Sequence, residues 1–469
     1  MNVDPKAFVA NARAALADPQ LRPALGRLKT HFGAGRAFAV HRYGDFESLR
    51  AAGKAIRDYA VTHLDELLVT FEQSVNARGG TVHWARDAAE ARRLILAILQ
   101  DVGAKTVTKG KSMVTEEIRL NPFLEANGIE PVETDLGEYI IQLRDEPPSH
   151  IIAPAFHLSK EQVAETFFAA HKDLDPARSL QERNALVQEA RAVLRRRFEA
   201  ADAGITGANF LSAKEGAAII VTNEGNGDLT RLLPKTHIVV TGIEKVVADM
   251  NDVAVLLRLL PRSATGQAIS TYVSVMAGPR GPGETDGPEN FHVVLVDNGR
   301  SRLIGTEAQD VLRCIRCSAC INHCPIYGAI GGHAYGATYM GPIGAALNPG
   351  TMGVANAAHH ANASTFCGRC AEVCPVMIPL PRIMRHWRAV EYGQGLAPKA
   401  ITRGLALWAF AAKRPALYRL GASIAARVLK MLGRGGSVRV VPIRNGWFAV
   451  RDFPVPQGTT FQQQWRARK

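Results

Sequence analysis

The stretches CIRCSACINHCP (residues 314–325) and CGRCAEVCP (residues 367–375) contain all seven cysteines of this 469-residue chain. The first stretch reads C-x2-C-x2-C-x3-C-P, the run with which bacterial ferredoxins give three thiolates to one iron–sulfur cluster and a fourth to another. A tetrahedral zinc site built from C-x2-C pairs has no place for a third cysteine three residues further on. Disulfide frameworks belong mostly to small secreted domains. The cysteine spacing therefore predicts iron–sulfur clusters.

The crossed ligation of such a run assigns the cysteines to two clusters of the 4Fe-4S type. The first cluster takes four thiolates, from Cys314, Cys317, Cys320 and the distant Cys374. The second cluster takes three, from Cys324, Cys367 and Cys370. The second cluster is therefore one cysteine short, and Ser364 stands where a full second run would place the missing thiol.

Three explanations of the missing ligand are open. Ser364 could ligate as an alkoxide, although oxygen is a harder donor than iron–sulfur clusters usually bind. The second cluster could contain only three irons. It could also contain four, the last iron being bound to a histidine, a water, a substrate or a residue of a partner. Four histidines lie near the cysteine runs: His323, His333, His359 and His360. For each of them an ordinary packed or solvent-facing side chain is the favoured interpretation.

The segment between the cysteine runs contains no Asp, Glu, Lys or Arg and many glycines (residues 325–364). Glycine allows backbone N–H groups to approach cluster sulfurs, and such hydrogen bonds, with the exclusion of solvent, tune cluster potentials. We therefore predict that this insert shields the clusters. The alternative is a plain glycine-rich loop, which is uncommon at this length unless it is functional.

The composition, 47% hydrophobic and 21% charged, is that of a globular protein. The formal net charge is +13, but the 77 residues from Gly393 onward carry 14 Lys and Arg and a single acidic residue, Asp452. Positions 1–392 carry 42 basic and 42 acidic residues, so no general nucleic-acid-binding surface is expected. The N-terminal residues lack a signal-peptide core, and no apolar stretch approaches the roughly 20 residues that a bilayer requires. These features predict a cytoplasmic protein.

Residues 1–300 alternate between helical and extended patterns. Helices are predicted at 45–75 and 87–100, and two more are predicted to begin at capping boxes formed by Ser159 with Gln162 and by Ser179 with Glu182. Strands are predicted at 81–85, 105–109, 129–134, 149–153, 217–222, 237–242, 271–276 and 291–296. This alternation predicts a layered α/β domain with a largely parallel sheet, whose ligands bind at the carboxyl ends of the strands.

Three segments at predicted strand ends carry chemically useful side chains. KGKSMVTEE (109–117) offers lysines and hydroxyls to an anion, but it is not a Walker A loop, because Lys105 stands at the position of the first glycine. VTNEGNG (221–227) presents Glu224, and LPKTH (233–237) presents a lysine and a histidine. A carboxylate or lysine there could bind a small acid or act as a base or nucleophile. The alternative for each is ordinary turn chemistry. No G-x-G-x-x-G motif is present, so a nicotinamide site is not expected.

Several segments resemble the lactate-utilisation protein B family: KSMVTEEI (111–118), VETDLGEYII (132–141), TNEGNG (222–227), IGGHAYG (330–336), RDFP (451–454) and residues 461–465. The resemblance implies an α/β fold in which a domain resembling sugar-phosphate isomerases and CoA-transferases precedes an α-helical, ferredoxin-type dicluster domain. The domains it implies are an N-terminal helical segment (1–75), the α/β lactate-utilisation domain (76–300), the iron–sulfur domain (301–392) and a basic C-terminal region (393–469). The family also carries seven cluster cysteines.

The resemblance implies the iron–sulfur, electron-transfer subunit of a system in which two other lactate-utilisation subunits help to oxidise L-lactate, a small 2-hydroxy acid, to pyruvate. The chain would then be a non-flavin oxidoreductase subunit that relays electrons. An alternative is an acyl- or CoA-transferase that uses Glu224, because residues 223–225 resemble the glutamate-bearing turn of CoA-transferases, with clusters that sense or stabilise. A third interpretation is a redox-sensing module that binds other proteins.

The basic tail has apolar residues at helical spacing interleaved with Lys and Arg (399–432), and Pro415 is expected to divide it into two helices. Basic amphipathic helices bind anionic membrane surfaces, where a quinone could accept electrons. The tail therefore predicts peripheral contact with the inner face of the membrane. The alternative is a helix that packs on the protein and exposes its basic face.

Overall fold

The computed structural model describes residues 4–438 and 453–468. The chain divides into two compact units, Met1–Glu391 and Tyr392–Lys469. Two residues of the RDFP segment, Arg451 and Asp452, lie outside the described residues.

A parallel sheet of six strands forms the centre of the first unit. The strands of this unit are β1 Thr81–Ala85, β2 Thr106–Lys109, β3 Glu130–Glu133, β4 Ala203–Thr206, β5 Phe210–Ser212, β6 Ala217–Thr222, β7 Thr236–Gly242, β8 Val246–Val247, β9 Tyr272–Met276 and β10 Asn290–Val296. The central sheet has the order β1-β10-β7-β4-β2-β3. Its middle strands, β7 and β10, are rich in valine and pair through contacts such as Val239 with Val293. Such apolar runs are typical of strands covered on both faces.

A second, smaller sheet has the order β8-β5-β6-β9 and mixes parallel and antiparallel pairs. Of its strands, β6 and β9 were predicted, whereas β5 and β8, like β4 of the central sheet, were not. These three strands are only two to four residues long, so they carry little periodic signal of their own. Gly204 in β4 permits a close approach to helix backbone, because a Cβ there would lie 1.8 Å from the Thr230 carbonyl oxygen.

Helices surround both sheets. In the first unit they are α1 Phe8–Ala17, α2 Leu21–Leu28, α3 Ala34–Tyr43, α4 Phe46–Thr62, α5 Leu64–Ala77, α6 Ala88–Asp101, α7 Met113–Glu117, α8 Leu120–Glu125, α9 Leu136–Leu143, α10 Lys160–Ala170, α11 Arg183–Glu199, α12 Asn226–Leu232, α13 Met250–Ala264, α14 Ala319–Asn322, α15 Tyr327–Ile330, α16 Gly341–Thr351, α17 Val354–Asn362 and α18 Arg369–Glu372, with α19 Leu380–Gly393 at the boundary. The α/β class predicted from the sequence is confirmed.

Three local predictions need correction. The helix predicted at 45–75 is two helices that meet at His63. The Ser159 capping box is present, but Ser179 caps nothing, since α11 begins only at Arg183. The strand predicted at 149–153 is instead a turn. It is closed by hydrogen bonds from the Ile152 and Ala153 amides to His150 Nδ1, so these amides are not available to a strand ladder.

The charge-free insert is helical and not an open loop. It forms α15, α16 and α17, and every residue from Gly341 to Pro349 is buried. Small residues allow α16 to be enclosed on all sides by its neighbours. The insert packs in the same hydrophobic core as Cys317, Cys370 and Cys374. Three more cysteines pack directly against that core: Cys314, Cys320 and Cys324.

The second unit contains α20 Lys399–Ala412 and α21 Pro415–Leu432, divided at Pro415 as the sequence predicted. It also contains a two-stranded pair, β11 Ser437–Val438 and β12 Phe453–Pro454, and α22 Phe461–Ala467. Neither α20 nor α21 has a buried residue. Across residues 4–438 and 453–468, no helix combines the length and apolarity needed to cross a bilayer.

Candidate metal centre and adjoining cleft

The four cysteines assigned to the first cluster line one cavity of about 370 Å³. These are Cys314, Cys317, Cys320 and Cys374. Apolar side chains, among them Ile343, Val376 and Leu380, complete its wall. The structure therefore brings Cys374 to the first run across more than 50 residues of sequence, through the packing of the insert between them.

The three cysteines assigned to the second cluster line another cavity, of about 440 Å³. They are Cys324, Cys367 and Cys370. Cys370 is buried, whereas Cys367 is exposed, so this second cavity reaches the protein surface. The two groupings are those of the crossed ligation, and the ligation itself stays a prediction.

The spacing of the sulfurs suits clusters better than a single ion. Among the described residues, which include all seven cysteines, no three cysteine sulfurs lie within 4.8 Å of one another. Zinc–sulfur bonds of about 2.3 Å hold the sulfurs of a tetrahedral site about 3.8 Å apart. A cubane binds each thiolate at a different iron and separates the sulfurs further.

Backbone N–H groups are directed at cysteine sulfurs on both sides of the insert. Arg316 N lies 3.4 Å from Cys314 Sγ, Tyr327 N lies 3.5 Å from Cys324 Sγ, and Ile378 N lies 3.4 Å from Cys374 Sγ. Hydrogen bonds of this kind set the reduction potential of iron–sulfur clusters. These hydrogen bonds, and the grouping of the sulfurs in two cavities, fit such clusters.

The thiols are crowded and sheltered from water. None is in a disulfide. Burial, reinforced by repulsion from Cys324 and Cys367, raises the pKa of Cys370 to about 12. Burial likewise raises the pKa of Cys320. Thiolates in such an environment require a compensating cationic centre, which bound iron provides.

The structure separates the candidates for the missing ligand of the second cluster. Ser364, His323 and His360 line the second cavity, whereas His333 lines a different cleft. His360 is engaged at both ring nitrogens, through Nε2 with the Tyr335 carbonyl oxygen (2.8 Å) and through Nδ1 with Asn348 (3.4 Å).

The other two cavity residues keep a donor atom available. His323 uses Nδ1 on the Ala319 carbonyl oxygen at 2.8 Å, which leaves the Nε2 lone pair. Ser364 Oγ accepts a hydrogen bond from Phe366 N at 3.1 Å. His323 and Ser364 therefore stay the internal candidates for the fourth position.

Arginines from the N-terminal helices hold the cysteine runs in place. Arg36 donates to the Val373 carbonyl (3.0 Å), and Arg50 donates twice to the Cys374 carbonyl (2.8 and 3.0 Å). Buried Arg57 donates to the Val246 and Leu312 carbonyls at 2.9 and 3.0 Å, and so links the small sheet to the residues before Cys314. The helical segment at the N-terminus is thus part of the scaffold of the first cavity.

A buried ionic network joins the α/β part to the cysteine-rich part. Arg300 binds Glu117 at 2.7 Å and Glu244 at 2.6 Å, and Glu244 also binds Arg316 at 3.1 Å. Tyr339 donates to Glu117 at 2.7 Å and lies under the Arg316 guanidinium, 4.3 Å from ring centroid to Cζ. The network orients Arg316, one of the two residues between Cys314 and Cys317.

A cleft of about 1370 Å³ opens at the carboxyl ends of β2, β4, β6 and β7. Three cationic side chains line it: Lys111, Lys245 and Arg316. Ile151 and Arg316 also line the first cysteine cavity, so the cleft and that cavity share a wall. A small carboxylic acid could therefore bind beside the first cluster.

Lys245 is buried within this cleft, and among the described residues it has no hydrogen-bond or ion-pair partner. Burial, with repulsion from Arg316, lowers the pKa of Lys245 to about 7. A lysine with such a pKa can bind a carboxylate when protonated and accept a proton when neutral. Sequence reasoning missed both Lys245 and Arg316. Lys245 lies between β7 and β8, in a segment that matches no known motif. Arg316 could have been found, because it lies inside the first cysteine run.

Glu224 lies in the same cleft, on its solvent-accessible side. Desolvation in the cleft and the nearby Asp135 carboxylate raise the pKa of Glu224. It follows β6 at a turn where Gly225 adopts φ 71° and begins α12. The structure thus places Glu224 where a ligand could reach it, and its catalytic use stays a prediction.

The other strand-end segments contribute less to the cleft. Lys109 is buried and donates at 3.0 Å to Thr115 and to Glu116, so it is structural. His237 is buried, and its Nε2 forms a hydrogen bond with Thr206 Oγ1 at 2.8 Å. Burial lowers the pKa of His237 to about 3. Lys235 is exposed and pairs with Glu289 at 3.6 Å. Only Lys111, of the lysines in these segments, lines the cleft.

Family models match three consecutive parts of the chain: the LUD domain over residues 68–296, a 4Fe-4S dicluster domain over residues 310–378, and the C-terminal region of lactate utilisation protein B over residues 381–469. Fold and cysteine cavities together thus define an iron–sulfur protein built on an α/β LUD domain. The dicluster match supports iron–sulfur clusters at these cysteines.

The chain belongs to the lactate utilisation protein B family. "Lactate utilization protein B" of Bacillus pumilus is 42% identical over 473 residues, which cover 100% of this chain and 99% of that protein. The protein of the same name from Bacillus subtilis is 43% identical over 449 residues, covering 94% and 91%. The one from Anoxybacillus flavithermus is 44% identical over 450 residues, covering 94% and 93%. The resemblance inferred from the sequence is therefore confirmed.

Proposed function

We propose that this protein is the iron–sulfur subunit of a multi-protein L-lactate oxidation system and relays the electrons of that oxidation. The observation that carries the proposal is the wall shared by the cationic cleft and the first cysteine cavity, formed by Arg316 and Ile151. The second cavity continues the series and reaches the surface at Cys367. The proposed substrate site, the first cluster, the second cluster and the exposed Cys367 would then lie in that order.

The residues of the cleft would bind and orient the acid. Arg316 and Lys111 would hold the carboxylate of the 2-hydroxy acid, because both are cationic and line the same cleft. Lys245, with its pKa near 7, would accept the hydroxyl proton. Conversion of lactate to pyruvate breaks one O–H and one C–H bond and releases two protons and two electrons. Lys245 would take the O–H proton, a base supplied by a partner subunit would take the C–H proton, and the clusters would take the electrons. Bound 4Fe-4S clusters ordinarily carry one electron each, so two neighbouring clusters match this stoichiometry.

The cysteines would hold the clusters as the crossed ligation assigns them. Cys314, Cys317, Cys320 and Cys374 would bind the first cluster, and Cys324, Cys367 and Cys370 the second. The apolar wall of the first cavity excludes water, whereas the second site opens to a partner. Partner proteins of the same system would supply the remaining chemistry and accept the electrons.

The test is anaerobic reconstitution with the two other lactate-utilisation subunits. L-lactate should bleach the visible cluster absorption of the complete system, and Cys370→Ser should abolish steady-state transfer. Arg316→Met should raise the lactate concentration needed for half-maximal bleaching at least 10-fold. Glu130→Gln, an exposed carboxylate remote from the cleft lining, is the matched control. Failure of lactate to reduce the clusters in the complete, iron-replete system would overturn the proposal.

Glu224 supports a second candidate, an acyl- or CoA-transferase activity in the cleft. The supporting observation is the raised pKa of a solvent-accessible carboxylate at the end of β6. Glu224→Gln separates the two functions. A transferase would lose acyl exchange with this variant, whereas the electron relay predicts that lactate-dependent bleaching continues at a rate close to that of the unaltered protein.

For the basic tail we propose peripheral binding to anionic membrane. Its helices expose large apolar side chains, including Leu407, Trp408, Phe410, Leu420 and Met431. Residues 399–432 carry seven Lys and Arg and no acidic residue. Such a surface should bind vesicles containing anionic lipid at low salt and be released as salt rises. Absence of binding at low salt, or retention at high salt, would contradict it.

A further inference from the structure

A cluster of three potential metal ligands lies away from the cysteine cavities. Glu146, His157 and His333 bring one potential ligand atom each within 4.8 Å of the other two. Glu146 and His157 belong to the segment between α9 and α10, whereas His333 belongs to the insert between the cysteine runs. His333 was considered above as a ligand of the second cluster, and the structure places it here instead.

Hydrogen bonds fix which nitrogen of His157 carries a proton. Ser149 Oγ lies 2.7 Å from the Pro154 carbonyl oxygen, which can only accept, so the hydroxyl proton is used there. His157 Nδ1, at 2.9 Å from the same Oγ, must therefore be the donor. The neutral His157 ring then directs its Nε2 lone pair at Glu146 Oε2, 2.8 Å away.

A lone pair and a carboxylate oxygen at that distance repel each other unless a cation lies between them. The cation is either a proton, which makes an imidazolium–carboxylate pair, or a metal ion. His333 adds a second imidazole, whose ring packs edge-to-face against His157 with 4.7 Å between the centroids. Its Nε2 donates to the Pro147 carbonyl oxygen at 2.8 Å, so its lone pair is on Nδ1. An imidazolium–carboxylate pair needs no second nitrogen lone pair, whereas a metal ion can bind one.

Further hydrogen bonds hold the side chains of Glu146, His157 and His333 in place, as is usual for metal ligands. Ligating histidines usually donate their other N–H to a carbonyl, hydroxyl or carboxylate, as both histidines do here. Arg144 donates to the other oxygen of Glu146 at 2.9 Å and so holds that carboxylate in place. Gly332 lets the insert reach this segment, because a Cβ there would lie 2.0 Å from the Ser149 carbonyl oxygen.

The cluster also has an entry path for a cation. Glu146 and His333 line a cleft of about 1660 Å³ that is separate from the cationic cleft. Its wall includes Arg119 and six further carboxylates, those of Glu116, Glu117, Glu125, Glu133, Glu138 and Asp145. Glu116 and Glu133 pair with Lys109, and Glu117 pairs with Arg300. The exposed carboxylates of Glu125 and Asp145 are therefore the ones that attract a cation to this cleft. Metal bonds to N and O of about 2.0–2.2 Å place neighbouring ligand atoms roughly 3–3.6 Å apart. The present separations, all within 4.8 Å, are close to that range.

We propose that Glu146, His157 and His333 form a site for a divalent first-row metal ion that ties the insert to the α/β domain. Two imidazoles and one carboxylate are the ligand set of Zn²⁺ and Fe²⁺ sites that keep coordination positions open. Water from the acidic cleft would occupy those positions. The site is separate from the iron–sulfur clusters, and the inference does not depend on the direction of electron flow.

Zinc uptake by the full-length, iron-replete protein tests the site. The protein, purified without oxygen, is equilibrated with Zn²⁺ and passed through a desalting column, and zinc and iron are then measured together. We expect one zinc per chain with no loss of iron. Glu146→Gln, His157→Ala and His333→Ala should each lower zinc affinity at least 10-fold. Ser149→Ala, which removes the outer partner of His157 together with the hydrogen bond to Pro154, should lower it about 10-fold.

Two controls keep the result interpretable. His41→Ala, which removes an exposed histidine of α3, should bind zinc as the unaltered protein does. Iron content and cluster EPR of every variant should match the unaltered protein, so that misfolded variants are recognised, and Glu146→Gln preserves side-chain volume. Absence of zinc retention, equal retention by all three ligand variants, or uptake only as iron is lost would each overturn the metal site. The cluster would then be an imidazolium–carboxylate pair.

Discussion

Replacement of Glu244 by glutamine should weaken the connection between the α/β domain and the cysteine-rich part. Glu244 is 2% exposed and binds two arginines, Arg300 (2.6 Å) and Arg316 (3.1 Å), of which Arg300 is fully buried. Although burial opposes its charge, these arginines lower the pKa of Glu244 to about 2. The variant keeps the shape of the side chain but leaves Arg316 without its carboxylate partner and Arg300 with Glu117 alone.

The magnitude follows from the burial of the network. Removal of one partner from a buried ion pair typically costs about 3–5 kcal/mol, because an uncompensated charge is left inside. In a unit of this size each kcal/mol corresponds to roughly 1–2 °C in Tm, so a decrease of roughly 3–10 °C is expected. The sign of the pH dependence is also determined. The stabilisation from Glu244 is present above its unfolded pKa and is lost as pH falls towards about 2.

Thermal unfolding of the iron-replete protein, followed by far-UV circular dichroism, measures this effect. The matched control is Glu130→Gln, which removes the exposed pair with Arg197 (3.0 Å; 45% and 52% exposed side chains) and should shift Tm by less than about 2 °C. Addition of Arg316→Met to Glu244→Gln should destabilise less than the sum of the two single changes. A Glu244→Gln decrease no larger than that of the control would refute the reasoning.

Three further predictions concern the cleft, the insert and the second cluster. The rate at which lactate reduces the clusters should rise as pH passes about 7, where Lys245 becomes neutral and can accept the hydroxyl proton, and Lys245→Met should lower this rate roughly 100-fold and abolish the pH dependence. Bleaching rates over a pH series measure both effects, and an unchanged profile in the variant would contradict the assignment. Gly332→Ala should lower the free energy of unfolding by about 1–3 kcal/mol, because its Cβ would meet the Ser149 carbonyl. Gly328→Ala, which has open space around its Cβ, should leave that free energy nearly unchanged. Denaturant titration measures both. Ser364→Cys should slow the loss of iron in air by completing the second cysteine set, and an unchanged rate of loss would favour a ligand other than residue 364.

The cysteine runs predicted more of the molecule than any other segment. Their spacing is local, and it specifies three thiolates at one corner whatever the rest of the chain does. The strand pattern also predicted most of the parallel sheet, because β7 and β10 are long apolar runs with no competing helical period. Ser149 and its neighbours were misjudged because an apolar run, Ile151 to Ala153, is equally compatible with a turn when a histidine side chain takes the amide hydrogens.

The parts that sequence could not predict are those created by contacts between distant elements. Lys245 has an ordinary appearance in the chain, and only its burial beside Arg316 makes its charge unusual. His333 lies close to the cysteine runs in sequence, which made it one of the candidates for the missing cluster ligand. Its position depends instead on Gly332 meeting the turn at Ser149. Interactions of this kind leave no periodicity or spacing signal.

Electron transfer between a substrate and a buried cluster requires a fixed separation, and the contacts at the domain boundary are of a kind that fixes one. Arg57 joins the small sheet to the first cysteine run through backbone carbonyls, and Arg316 is held by Glu244 on one side and by Tyr339 on the other. Such buried charged contacts permit few alternative arrangements, since each alternative leaves an unpaired charge inside. The cleft and the first cavity share Arg316, so any motion that opened the boundary would also disturb the proposed substrate site. We therefore expect substitution of Glu244 to alter lactate binding and cluster reduction together. Substitution of the exposed Glu130, remote from the cleft, should alter neither.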